Sequence, residues 1–103
     1  MIGYEVNLEV DARLRGDYLA WLQAHVDEML RFDGFVSARI EEVIEPAPAT
    51  GHFALCVRYQ VRDMASLEDY FAHHAARMRD DGIARFGDGF RASRRVLRVS
   101  GSD

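Results

Sequence analysis

Cysteine is almost absent. Cys56 stands alone among 103 residues, which excludes an intrachain disulfide and any zinc or iron–sulfur site assembled from several thiolates of this chain. A reducing compartment suits such a chain, and a cytoplasmic location is expected. Long apolar runs are also missing: no window approaches the ~18 consecutive apolar residues that span a bilayer. The opening residues carry Glu5 and Glu9 where a signal peptide needs a basic start and an apolar stretch. Positive charge is in short supply, with 13 Lys and Arg against 17 Asp and Glu and a net charge of −4. Nucleic acid and membrane surfaces reward clustered cations, so neither is an expected partner, even though Arg91, Arg94, Arg95 and Arg98 gather late in the chain.

What is present is ordinary for a folded protein. A hydrophobic share of 49% with 29% charged residues lies far from the composition of disordered segments. A chain of this length buries roughly 60–70% of the surface its unfolded form exposes. One domain over residues 1–103 is expected, with a tail no longer than Gly101 to Asp103.

Tyr4, Val6, Leu8 and Val10 alternate with Glu5, Asn7 and Glu9, the period-two pattern of a half-buried strand. Asp11 can cap a helix on which Leu14, Tyr18, Leu22, Val26 and Met29 recur at helical spacing through about Phe32, with Gly34 as its stop. Phe35 to about Ile44 reads as a second strand, placed at an edge, with a bulge where alternation slips at Glu41–Glu42. Pro46, Pro48 and Gly51 make a loop, and Phe53, Leu55, Val57, Tyr59 and Val61 resume alternation to close a hairpin. Ser66 with Asp69 signals a second helix, on which Leu67, Phe71, His74, Ala75 and Met78 make the inward stripe until Gly82. Phe90 to Val99 reads as the last strand.

The order βαββαβ with right-handed crossovers predicts a ferredoxin-like α+β fold: a four-stranded antiparallel sheet in the order 4-1-3-2, with two helices on one face. A first helix of about 19 residues at ~1.5 Å per residue matches a nine-residue strand, so the layers are commensurate.

On these helices His25 falls roughly 40° from the centre of the first apolar stripe and His74 near the centre of the second. With Tyr18, Trp21, Tyr59 and Tyr70 on the same surfaces, two imidazoles would share an aromatic pocket. A buried imidazole is kept neutral and can accept a proton, which makes His74, His25 and Tyr59 the candidate catalytic residues. The more usual reading is that each histidine is a core residue hydrogen-bonded by a tyrosine or carbonyl. His73 beside His74 lacks the i, i+4 spacing of a zinc helix, so no metal is expected.

In the last strand Phe90, Ala92, Arg94 and Val96 share one face and Ser93, Arg95, Leu97 and Val99 the other. One arginine must face the helices, and an inward guanidinium needs a carboxylate, a carbonyl or an anionic ligand. Arg94 and Arg95, with Trp21 and Tyr70, are therefore candidate ligand-binding residues, while pairing with Glu5, Glu9 or Asp69 is the commoner outcome. The opposite face of the third strand carries Ala54, Cys56, Arg58 and Gln60. The aromatic platform that stacks RNA bases is missing there, and Cys56 reads as a packing residue.

Tyr4-Glu5-Val6-Asn7, Tyr18-Leu19-Ala20-Trp21-Leu22 with His25, the Tyr59 strand, Tyr70 with His74, and Arg94-Arg95-Val96-Leu97 resemble a family of short bacterial proteins known as a domain of unknown function. That family is similar in fold to the dimeric α/β-barrel superfamily, which includes cofactor-free monooxygenases, isomerase-like enzymes and members with no assigned activity. The resemblance implies this fold and a homodimer, and it carries over no catalytic motif. The expected function is thus a dimeric domain, non-enzymatic or binding a small molecule without a cofactor. The alternative is a cofactor-independent monooxygenase- or isomerase-like enzyme acting on a small aromatic or acidic substrate. An open pocket of roughly 300 Å³ or more lined by the histidines favours the alternative, and a filled interior the first. The homodimer is expected to form through the sheet face opposite the helices, where Ala54, Cys56 and apolar residues of the last strand mix with Glu5, Glu9 and Arg58.

Overall fold

The computed structural model describes residues 1–101; Ser102 and Asp103, the end of the expected tail, lie outside the described residues. Alternation in the opening segment becomes strand β1 (Ile2–Asp11), with Tyr4, Leu8 and Val10 buried. The Asp11 carboxylate accepts the Arg13 backbone N–H, capping a 3-10 turn over Ala12–Leu14 that leads into α1 (Arg15–Met29). The regular helix is therefore shorter than its apolar stripe. Tyr18, Leu22, Val26 and Met29 form its buried face at i, i+4 and i+3 steps.

Gly34, at φ 84°, turns the chain into β2 (Phe35–Glu42). The irregularity in pairing with β3 (His52–Val61) lies between Phe35 and Ser37, not at the expected Glu41–Glu42. Val36 is exposed there, so the strand absorbs its extra residue at the start. The strand order is β2-β3-β1-β4, all pairs antiparallel, which counted from the opposite edge is 4-1-3-2. β4 (Phe90–Arg98) and β2 form the two edges.

The second helical segment departs from expectation in three ways. Asp63, not Ser66, is its cap: the Asp63 carboxylate accepts the Ser66 N–H at 2.8 Å, and α2 runs Met64–His73. His74 then leaves helical geometry at φ −131° and ψ −28°, and α3 (Ala75–Phe86) begins beyond it, giving three helices rather than two. Gly82 lies buried inside α3, and the stop is Gly87 at φ 56°. The break rotates the inward stripe, so Leu67, Tyr70, Ala75 and Met78 are buried while Phe71 is 38% exposed.

Side chains of β1 and β3 with one parity meet those of the helices in one core cluster. The opposite parity forms a face with no helix over it. The molecule is accordingly a slab, 37 × 33 × 18 Å, as two stacked layers dictate.

Candidate functional site

Between α1, α3 and the β3-β1-β4 part of the sheet lies a cavity of about 550 Å³. Arg79, Ile83, Gly87, Asp88 and Arg94 in its lining are exposed, so it is a cleft that opens to solvent rather than a sealed packing void. All four tyrosines of the chain (Tyr4, Tyr18, Tyr59 and Tyr70) and its only tryptophan, Trp21, line it. Tyr4 and Tyr59 come from neighbouring strands, directly opposite in register, and stack with ring centres 5.8 Å apart. Tyr18 faces them from α1, tilted against Phe86 at 4.9 Å and Phe90 at 5.4 Å.

Each tyrosine is at least 96% buried, yet none of the four hydroxyls is hydrogen-bonded to another protein group among the described residues, and none is sealed off from open space. Tyr59 has Tyr70, Tyr4 and Tyr18 as electrostatic neighbours. Burial pushes the Tyr18, Tyr59 and Tyr70 hydroxyls well above their ordinary value, the nearby Arg94 charge opposing it in each case. They are therefore neutral O–H donors at physiological pH.

His25 projects from α1 into the same space, its ring stacked on Trp21 at 4.6 Å. Burial lowers its pKa, with the Glu28 and Asp81 carboxylates pulling the other way and Arg94 adding to the lowering. His74 is elsewhere. At the break between α2 and α3 it stacks on Phe32 at 4.4 Å, half-exposed and outside the cavity lining. The shared pocket of two imidazoles expected from sequence is thus corrected to a pocket with one. The helical phase that would aim His74 inward is lost where the helix breaks.

The arginines separate cleanly. Arg94 pairs in register with Val6, has the parity of Phe90 and Ala92, and lines the cavity. Arg95 pairs with Glu5 on the opposite face and bonds its carboxylate. Arg95 is thereby removed from the candidate ligand-binding residues, whereas Arg94, Trp21 and Tyr70 come together with Tyr59 and His25.

Three contributors were not anticipated. Gly82 approaches Trp21 so closely that a Cβ would stand 3.0 Å from its ring and 3.3 Å from Phe90. Its spacing of four from Met78 placed it on the inward stripe, and that was the available signal. Arg79 and Asp88 complete the charged lining, which no periodicity marks. Among the described residues no three His, Cys, Asp or Glu side chains converge where they could hold a metal.

Several solved structures share the fold. A candidate antibiotic biosynthesis monooxygenase from Deinococcus radiodurans superposes with a TM-score of 0.70 at 14% identity, over 100% of this chain and 96% of that one. A dimeric ferredoxin-like protein from an uncultured marine organism gives 0.69 at 12% identity, over 99% and 98%. The de novo designed protein Foldit4 gives 0.64 at 15% identity, over 95% and 97%. At such identities the likeness is one of fold, and a designed protein among the matches shows how little activity the fold alone implies. No curated protein matches the chain. Residues 1–100 match the model of the family described as a domain of unknown function, DUF4286, and the chain belongs to that family.

Proposed function

We propose that this protein binds a small, largely apolar molecule in the cavity between helices and sheet, and does so as a homodimer. The carrying observation is the set of four tyrosines whose rings are buried around about 550 Å³ of space while their hydroxyls, open to space, have no protein partner among the described residues. Ligand sites are concavities of ~300–1,000 Å³ with apolar walls and a few convergent polar groups, and this cavity has that make-up. A thermal-shift screen of small molecules, with native mass spectrometry of whatever co-purifies, tests the reading. Failure of every compound to raise the melting temperature, with no co-purifying mass, refutes it.

His25 favours a second reading, a cofactor-independent enzyme. A neutral imidazole facing the cavity can take a proton from a bound carbon or oxygen acid, becoming imidazolium. Deuterium incorporation from heavy water into an enolisable ligand, lost in His25→Asn, would establish it.

The dimer reading rests on the open sheet face. Two solved structures of this fold are described as dimeric, and here Arg39 and Arg58 stand directly opposite each other without an ion-pair partner among the described residues. Glu41 lies two residues along β2 on the same face. A two-fold axis in the interface, running across the strands, brings Glu41 of each copy over Arg39 of the other, relieving the like-charge pair. Sedimentation at micromolar concentration should give twice the chain mass, and Arg39→Glu with Arg58→Glu should give a monomer; a monomeric wild type refutes the dimer.

A further inference from the structure

We infer that the ligand is a flat aromatic molecule carrying one anionic group, its ring system seated among the tyrosine and tryptophan rings and its anion held at the cavity's rim by Arg94. This rests on the binding reading above and narrows it.

The first argument is the position of Arg94. Its neighbours of the same parity, Phe90 and Ala92, and its register partner Val6 all line the cavity, so its stem starts from the cavity wall. Its charge bears on Tyr18, His25, Tyr59 and Tyr70, which places guanidinium, imidazole and hydroxyls around one space.

The second argument is its lack of an ion-pair partner. Of the thirteen arginines, Arg13, Arg15, Arg62, Arg77 and Arg95 are each held by a carboxylate, and neither of the two that line the cavity is among them. Arg94 is held by none among the described residues, although Asp88 lines the same cavity. The charged lining is two cations, Arg79 and Arg94, against that one carboxylate, within a protein of net charge −4. The lining itself is net positive by one, and with Glu28 and Asp81 acting on the His25 side the Arg94 end of the cavity is the place for an anion. A planar guanidinium binds a carboxylate through two parallel hydrogen bonds, and the neutral tyrosine O–H groups can donate to further ligand oxygens.

The third argument is the shape of the walls. The Tyr4–Tyr59 pair, with ring planes 24° apart, lies on the sheet side with Phe90 of β4 farther along the same wall, and Trp21 and Tyr18 line the space from α1. Walls of this kind stack flat π-systems. A flexible alkyl chain would gain less contact and lose more conformational freedom on binding.

The test uses the full chain with 2-naphthoate, its uncharged counterpart 2-naphthamide, and octanoate, titrated by calorimetry with Trp21 fluorescence as a local report. Naphthoate should bind about tenfold more tightly than either naphthamide or octanoate, as one charge-assisted contact and one stacked ring system imply. In Arg94→Gln, an exposed edge-strand site whose folding is checked by circular dichroism, acid and amide should bind alike, with the amide's affinity unchanged. Arg94→Lys should keep part of the preference. Equal wild-type binding of acid and amide, or a preference that survives Arg94→Gln, overturns the anion assignment; octanoate matching naphthoate overturns the aromatic one. If nothing in the panel or the wider screen binds, the binding reading itself has failed.

Discussion

Arg94 and Arg95 are identical side chains on adjacent residues, and they meet opposite fates. Arg95 bonds a buried glutamate on the open face, while Arg94 stands without an ion-pair partner at the rim of a cavity. The difference follows from the two-residue period of a strand, and it runs across the whole sheet. On the helix side the alternate residues are aromatic and aliphatic, with hydroxyls left over. On the open side Glu5 is bonded by Arg95 and by the Asn7 amide at 3.2 Å. Around Glu5 the open face satisfies its polar groups within the chain, which serves stability, whereas the helix side leaves tyrosine hydroxyls open to the cavity without protein partners, which suits a ligand.

Removing mass from the helix-side face should have the largest effect. Tyr59 is 2% exposed and packs against Tyr4 and Phe35, so Tyr59→Ala should destabilise by about 3–5 kcal/mol in urea unfolding. A loss under about 1 kcal/mol would mean that the cavity already extends through the space the ring occupies, and that the two faces differ less in packing than the structure indicates.

The open face should answer to acid instead. The Arg95 guanidinium, aided by Asn7 and opposed by burial, holds the Glu5 carboxyl at about 2 against an ordinary 4.5. A depressed pKa contributes stability that is fully present above the unfolded value and is lost as pH falls through the folded one. The window is therefore pH 4.5 down to 2. Arg95 is 65% exposed and solvent screens the pair, so the loss is on the order of 1–2 kcal/mol. Glu5→Gln should be less stable than wild type at pH 7 and should lose less across that window; parallel pH profiles would show that the pair contributes nothing.

Much of this division was legible beforehand. The Tyr4 to Val10 alternation and the Phe53 to Val61 alternation assign both faces of the central strands without a structure. The last strand was ambiguous because Phe90 and Ala92 on one parity compete with Leu97 and Val99 on the other, and only pairing to β1 decides which arginine faces inward. The break at His74 was invisible because stripe residues continue on both sides of it. Glycine is a poor helix former, which marks Gly82 as a helix stop, whereas close contact with Trp21 is what the position requires of it. The aromatic lining of the cavity was legible in Tyr18, Trp21, Tyr59, Tyr70 and His25, but not its size, since a sequence lists the residues of a wall and not the volume they fail to fill.

The two histidines give a smaller contrast. His74 stacks on Phe32 at the helix break and lies outside the cavity lining. His74→Gln should cost about 0.5–1 kcal/mol, the worth of an aromatic pair, and leave naphthoate affinity unchanged. A fall in affinity without a fall in melting temperature would return His74 to the site.

The smallest effect on stability is expected at the same residue as the largest. Tyr59→Phe keeps the ring that fills the core and removes only a hydroxyl with no protein partner, so no donor or acceptor is left stranded and unfolding free energy should change by less than about 0.5 kcal/mol. Ligand affinity should behave differently: a bound anion or oxygen near the tyrosine cluster loses one donor, worth about 0.5–1.5 kcal/mol, or roughly two- to tenfold in Kd. The pair of measurements separates two origins for the unpartnered hydroxyls. If they wait for a ligand, Tyr59→Phe weakens binding and spares stability. If they hold an ordered water that bridges helices to sheet, the same substitution destabilises by more than about 1 kcal/mol in the free protein, and the contrast between the two faces becomes one between direct and water-mediated satisfaction.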